Sequence, residues 1–311
     1  MKLVSYTYDG RTSFGLLRDD HIQDIPSAWP DGPGCLREAI ARGRDALEEL
    51  ARRAEAPASH RLTMDDVRLL APIPDPPKLM GIAVNYVEHH REFDRGRDLP
   101  DDPANTTTPR PFLMPPTAVA ATGEEIPWPT VSEEIDYEVE LAVVIAAEAK
   151  DITPADAEAV IAGYTIANDI SARSMTHADG RSQRPKDPFF DWLHGKWQDK
   201  FCPMGPCLVT ADEIEDPQTL RLSLRVNDET RQDAVTDQMI FSVRELVAFC
   251  SRLVRLTPGD VIATGTPSGV GKATGKLLQP GDRIVGAIEG IGELHNTIGP
   301  RPTSFYRPCQ G

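Results

Sequence analysis

With 311 residues, 48 Asp and Glu against 33 Lys and Arg, and a formal net charge of −15, the chain is long enough to bury a sizeable core. Its acid excess argues against nucleic acid and anionic membrane surfaces as partners, and no apolar run approaches membrane-spanning length. Anionic small molecules stay open, because a bound cation can reverse the local sign of charge. Five cysteines with no CxxC pair (Cys35, Cys202, Cys207, Cys250, Cys309) do not suggest a disulfide framework. The opening Met1-Lys2-Leu3-Val4-Ser5 has no leader pattern. Together these point to a cytoplasmic location.

In chain order, Leu3-Val4-Ser5-Tyr6-Thr7-Tyr8 and Phe14-Gly15-Leu16-Leu17 predict a hairpin turning at Asp9-Gly10. Leu36, Ile40, Leu47 and Leu50 predict one helix over residues 35–54. The proline-rich stretch Pro72-Ile73-Pro74-Asp75-Pro76-Pro77 then punctuates the chain. We therefore expect a small N-terminal α/β domain over 1–72 and a larger domain over 73–311. Leu79-Met80-Gly81-Ile82-Ala83-Val84 predicts a buried strand running into Asn85-Tyr86-Val87-Glu88-His89-His90-Arg91-Glu92. On a helical turn His89 and Glu92 lie side by side. A carboxylate there orients an imidazole and raises its basicity. An exposed amphipathic turn has the same pattern. Residues 94–110 are polar and rich in Pro and Thr, which predicts a long loop, either a lid or a solvated insertion.

The centre of the sequence is Asp136-Tyr137-Glu138-Val139-Glu140 followed by Leu141-Ala142-Val143-Val144-Ile145. The apolar run predicts a buried strand, and pleat alternation sends Asp136, Glu138 and Glu140 to one face. Desolvating clustered carboxylates is costly. Either a hard cation with oxygen ligands balances them, or this is an edge strand with a solvated polar face. Further on, Thr153 as N-cap and Asp156 at N3 predict a helix over residues 154–162. Asp169 ends the apolar stretch Tyr164-Thr165-Ile166-Ala167-Asn168, where a third oxygen ligand could meet the other two, and Arg173 could fix a ligating carboxylate. Lys196 beside Gly195 and two tryptophans could hold a substrate carboxylate or an enolate, or be an ordinary surface lysine.

The C-terminal third has turn signals at short intervals (Asn227-Asp228, Pro258-Gly259-Asp260, Pro267-Ser268-Gly269, Pro280-Gly281-Asp282), which predicts a β-sandwich or roll. One helix is expected over residues 242–253. Thr264-Gly265-Thr266-Pro267-Ser268-Gly269-Val270-Gly271 is glycine-rich but lacks a GK[ST] ending, and no helix is expected after it, so it is not a phosphate loop. Its amides and the Thr266 hydroxyl could receive a carboxylate.

The ordered set Asn85-Tyr86-x-x-His89-x-x-Glu92, Asp136-Tyr137-Glu138-x-Glu140-Leu141, Asn168-Asp169-x-Ser171-Ala172-Arg173, Gly195-Lys196, Cys202-Pro203-x-Gly205-Pro206, Arg231-Gln232, Pro258-Gly259-Asp260-Val261-Ile262 and Thr264-Gly265-Thr266-Pro267-x-Gly269-Val270-Gly271 resembles the fumarylacetoacetate hydrolase family over roughly residues 75–298. The resemblance implies an α+β, mainly β fold, a mixed β-sandwich roll, carried as a homodimer. It implies Mg²⁺, with Mn²⁺ or Ca²⁺ as alternatives, held by Glu138, Glu140 and Asp169. It further implies His89 and Glu92 as the water-activating pair, Lys196 as the active-site lysine, and Thr266 at the substrate; Arg173 and Tyr86 are further candidates for substrate binding. Asp136 is not among the implied ligands.

The implied chemistry is hydrolysis of a C–C bond in a β-diketo acid such as an acylpyruvate. The alternative is isomerisation or decarboxylation of an unsaturated 2-oxo or 2-hydroxy diacid from aromatic catabolism. In both, a small 2-oxo acid chelates the cation, which stabilises an enolate. Met114, Ser174 and Thr176 depart from the residues many relatives carry, which leads us to expect a less charged or bulkier substrate than a standard diacid.

Overall fold

The computed structural model describes residues 1–19, 21–55, 60–93, 100 and 103–308. Two sheets packed face to face make up most of it. The larger has twelve strands and the smaller five, with neither closed into a barrel. The apolar run of the central segment forms the strand Val139–Ile145. It lies inside the large sheet, antiparallel to Ile161–Asn168 on one side and to Val261–Ala263 on the other. This excludes the edge-strand reading. Val261–Ala263 pairs in parallel with Leu79–Ile82, which pairs with the edge strand Pro111–Met114. In the other direction Ile161–Asn168 pairs with Cys202–Thr210, and that strand with Lys2–Tyr8.

The pleat divides the core. Val139, Leu141, Val143 and Ile145 pack with Leu222, Leu224, Ile284, Ile288 and Leu294 from the five-stranded sheet. Ala142 and Val144 point the opposite way, toward Leu3, Leu36, Ile40 and Leu79. Glu138 and Glu140 fall in the alternation of Ala142 and Val144, at the end of the strand where the apolar residues run out.

The expected hairpin forms, with Lys2–Tyr8 paired to Arg11–Leu17. The single helix expected over 35–54 is two helices, Leu36–Ala41 and Arg44–Ala54. Gly43 between them sits at φ 84°, a backbone state that ends a right-handed helix. The helix expected over 154–162 is a 3₁₀ segment, Pro154–Val160, with the expected Thr153/Asp156 capping box, and Ile161 already belongs to the next strand. The C-terminal helix is Val243–Leu253, capped by Ser242 and Glu245. Contrary to expectation, one helical turn, Gly271–Thr274, follows the glycine-rich loop. Of the loop expected over 94–110, residues 94–99, 101 and 102 lie outside the described residues, and Pro103–Thr106 forms a short helical turn. No helix among the described residues is long and apolar enough to cross a membrane.

Candidate active site

Three buried carboxylates meet at the end of the central strands. One oxygen from each of Glu138, Glu140 and Asp169 lies within 4.8 Å of the others. Backbone pairing sets their origins. Glu138 N donates to Asn168 Oδ1 at 2.9 Å, and Asp169 N donates to Glu138 O at 2.9 Å. Lys196 reaches them from the end of the helix Asp187–Gly195, its Nζ donating to Glu138 Oε2 and to Asp169 Oδ2 at 2.7 Å each. Gly195 makes that approach possible, since a Cβ there would stand 2.3 Å from Ala172 O. Lys196 is 2 % exposed, so it is a buried counter-ion and not a surface lysine.

Asp136 does not belong to this group. The segment breaks after the short strand Ile135–Asp136, which pairs with Ser171–Ala172, so the one-face expectation holds for Glu138 and Glu140 only. Asp136 accepts hydrogen bonds from the amides of Gly271 (2.6 Å) and Lys272 (2.9 Å) at the unexpected helical turn, and from Arg173 Nε at 2.9 Å. Arg173 Nη2 donates in turn to Glu138 Oε1 at 2.5 Å. Arg173 lines the cavity, but both of these donors are committed to carboxylates, so its place is beside the acidic cluster.

The charges are only partly balanced. Burial raises the Glu138 carboxyl, but the Lys196, Arg173 and His89 side chains outweigh it and hold it at about 2. Asp169 is pushed up to about 6 by burial and by Glu138, against the pull of Lys196. Glu140 is pushed well above the usual carboxylate range by burial and then by the charges of Asp169 and Glu138. Asp169 Oδ1 is buried with no hydrogen-bond partner. This donor set, all oxygen and short of positive charge, suits a hard divalent cation. Glu138, Glu140 and Asp169 are the residues that would hold it.

His89 and Glu92 stand over the carboxylates on the helix Val87–Phe93. His89 Nδ1 donates to Glu92 Oε2 at 2.9 Å, and Glu92 Oε1 accepts from Gly269 N at 2.7 Å. The pair is therefore not an exposed turn: His89 is 6 % exposed and lines the cavity. The chain reaches this helix through a sharp turn in which Val84 takes φ 55°, an uncommon state for a β-branched residue. Asn85 pins the turn, its Nδ2 donating to Phe241 O and Thr264 O and its Oδ1 accepting from Phe241 N. Gly265 at φ 95° lets the glycine-rich loop press against Asn85, where a Cβ would meet Asn85 Cβ at 2.7 Å. From that loop Gly265 N donates to Glu140 Oε2 at 2.7 Å.

These groups surround a cavity of about 230 Å³ whose walls include Ile82, Val84, Phe112, Trp192 and Thr266. That lies below the usual range of about 300–1,000 Å³ for small-molecule pockets, so it suits a small acid. Thr266 is at the wall as expected, but its hydroxyl donates to Val139 O and accepts from Gln232 Nε2. Tyr86 is a correction. It is buried in the core, its hydroxyl has no hydrogen-bond partner, and it does not line the cavity. Phe112 and Trp192, which pack edge to face at 5.0 Å, were not singled out as walls from the sequence. An aromatic in a short strand and another four residues before Lys196 were the available signals.

Met114, Ser174 and Thr176 do not line the cavity. Met114 is buried in the sheet and the Thr176 hydroxyl donates to Tyr306 O at 2.6 Å. They therefore give no support to the expectation of a less charged or bulkier substrate.

A family model described as fumarylacetoacetate (FAA) hydrolase C-terminal matches residues 78–299. Oxaloacetate tautomerase YisK of Bacillus subtilis is 38 % identical over 317 residues, covering 96 % of this chain and 100 % of the relative. Among solved structures, a fumarylacetoacetate hydrolase from Exiguobacterium antarcticum aligns with a TM-score of 0.77 at 33 % identity, over 97 % of this chain and 100 % of that one. Maleylpyruvate hydrolase from Sphingobium sp. SYK-6, solved with manganese(II) and pyruvate, aligns with a TM-score of 0.75 at 29 % identity, also over 97 % and 100 %. On this match, and with the acidic cluster and the His89–Glu92 pair in place, the chain belongs to the fumarylacetoacetate hydrolase family.

Proposed function

We propose that this chain is a divalent-cation-dependent enzyme that interconverts the enol and keto forms of a small 2-oxo diacid, with oxaloacetate the first substrate to try. The observation that carries this reading is the under-neutralised trio Glu138, Glu140 and Asp169 at a cavity of about 230 Å³ walled on one side by His89. The likeness to an oxaloacetate tautomerase over nearly the whole chain supports the choice of reaction. Mg²⁺ is the proposed ion, with Mn²⁺ or Ca²⁺ as alternatives, and when bound it supplies Lewis-acid polarisation of the 2-oxo group. Lys196 and Arg173 hold the carboxylates in place for it. The Glu92 carboxylate orients His89 through Nδ1, so that its other ring nitrogen carries a proton between substrate C3 and the 2-oxygen: the C3–H bond breaks and the enol O–H forms in one direction, and the reverse in the other. Phe112 and Trp192 shield that transfer from water.

Hydrolysis of an acylpyruvate C–C bond is the second reading. It is favoured by Glu92 being anchored to Gly269 N, which would hold the His89–Glu92 pair steady for activating a water. The likeness to two hydrolase structures supports it as well. The test is proton NMR of oxaloacetate and of an acylpyruvate with Mg²⁺-loaded protein. Accelerated enol–keto exchange with mass conserved upholds the first reading, and two product acids uphold the second. Turnover that survives both chelation and His89→Ala refutes both.

We further propose a homodimer formed through the exposed apolar residues Leu113, Phe189, Phe190, Trp197 and Leu253, clustered beside the edge strand Pro111–Met114. A contiguous apolar patch calls for a covering partner.

A further inference from the structure

A second group of potential metal ligands lies outside the carboxylate site. Asp191 and His194 stand three residues apart on the helix Asp187–Gly195, and the turn Thr176–Ala178 brings His177 against them. One ligand atom from each lies within 4.8 Å of the others. His177 Nε2 is 3.4 Å from Asp191 Oδ1, both side chains being about four-fifths buried (21 % and 22 % exposed). The two imidazole centroids are 5.7 Å apart. Arg181 donates to both Asp191 oxygens, at 2.9 and 2.6 Å. That fork fixes the carboxylate, and of its roughly four lone-pair sites two remain for other partners.

The ligand chemistry differs from that of the acidic trio. Two imidazoles and one carboxylate suit a borderline ion such as Zn²⁺, Ni²⁺ or Cu²⁺, whereas Mg²⁺ prefers oxygen alone. Ligand atoms around a tetrahedral ion with bonds of about 2.0–2.1 Å stand roughly 3.3 Å apart. The His177–Asp191 contact already has that spacing, and a His194 ring nitrogen lies within 4.8 Å of both partners.

We propose that His177, Asp191 and His194 form a second metal site, selective for a divalent transition ion such as Zn²⁺. The opposite side of the same helix carries Trp192 to the cavity wall and ends at Lys196. An ion here therefore ties the helix to the 176–178 turn and restrains one wall of the cavity. The proposal does not depend on which reaction the carboxylate site catalyses.

The test counts metal. The Mg²⁺-loaded protein and a H177A/H194A variant are dialysed against Zn²⁺ alone as probe, and bound zinc per chain is measured with isothermal titration in parallel. The wild type should hold one more zinc than the variant, even if zinc also enters the carboxylate site, because that site is common to both. Asp191→Asn should weaken the extra binding by at least tenfold, since loss even of groups supporting a ligand costs about 10–100-fold. Unchanged Mg²⁺ affinity and thermal midpoint in the variants show that the fold and the first site are intact. If H177A/H194A fails to fold, H177Q/H194Q removes the ligating nitrogens at similar volume and decides the same count. Equal zinc number and affinity in wild type and variants would overturn the proposal.

Discussion

Replacing Glu140 by Gln should raise the stability of the cation-free protein and abolish its response to Mg²⁺. Substitutions of buried residues usually destabilise, so the sign is the test. Glu140 lies within 4.8 Å of two other carboxylates. At this spacing each like-charge pair is worth roughly 3–4 kcal/mol at an effective dielectric of about 20. Lys196 offsets a comparable amount, and partial protonation caps the rest. The net relief is therefore of order 1–3 kcal/mol, or about 2–6 °C in melting temperature for a chain of this size. The amide keeps an oxygen able to accept from Gly265 N, which now sits 2.7 Å from Glu140 Oε2.

The pH dependence has a definite sign. Glu140 and Asp169 bind protons more tightly folded than unfolded, so above about pH 4.5, where the opposite contribution of Glu138 is complete, the acidic cluster without cation loses stability as pH rises. For Asp169 the loss runs from the ordinary value of 3.8 to about 6 and is then flat. For Glu140 it begins at 4.5 and extends higher. Glu140→Gln should flatten this slope. With the cation at about 100 times its dissociation constant the wild type should gain roughly 2.7 kcal/mol and the variant almost nothing. Thermal unfolding across pH, in chelator and in Mg²⁺, measures all of this. A variant less stable than wild type in chelator would show that the acidic cluster is already neutralised without an ion, and the reasoning would fail.

Other consequences follow from the same geometry. His89→Ala should cut turnover by about 10²–10⁴-fold while Mg²⁺ affinity, read by calorimetry, stays within a few-fold. Loss of binding instead would make His89 a ligand. Lys196→Met should destabilise the cation-free protein by about 3–5 kcal/mol, since it strips the buried Glu138 and Asp169 of their shared partner. Mg²⁺ should recover part of that loss, and an equal loss with and without Mg²⁺ would contradict it. Leu113→Glu, at a residue 54 % exposed beside the apolar groove, should shift a dimer toward monomer in light scattering without lowering the melting temperature of the monomer.

Much of this was legible in the chain. The apolar run after Glu140 announced an interior strand, and its alternation placed Glu138 and Glu140 together. Asp169 followed from ending the neighbouring strand, since antiparallel pairing brings Val139 opposite Asn168. What local pattern could not carry was any contact set by long-range closure. Asp136 looked equivalent to Glu138, but two residues of irregular backbone turn it toward the Gly271–Thr274 turn. Lys196 finds its partners 58 and 27 residues back along the chain, where no periodicity extends. Gly43 and the 3₁₀ winding at Pro154–Val160 show the same limit in the helices. Apolar spacing reports a buried face and says little about where the winding stops.

Val84 bears on how such a site could be re-cut. Its left-handed backbone, secured by the Asn85 clamp, aims the helix that carries His89. Holding a residue there costs of order 1–3 kcal/mol, met by the rigid frame around it. The height of the imidazole above the acidic floor is thus written into a main-chain torsion, independent of the side chains that shape the pocket. Phe112 and Trp192 can then be exchanged to admit a longer or bulkier acid without moving the group that handles its proton.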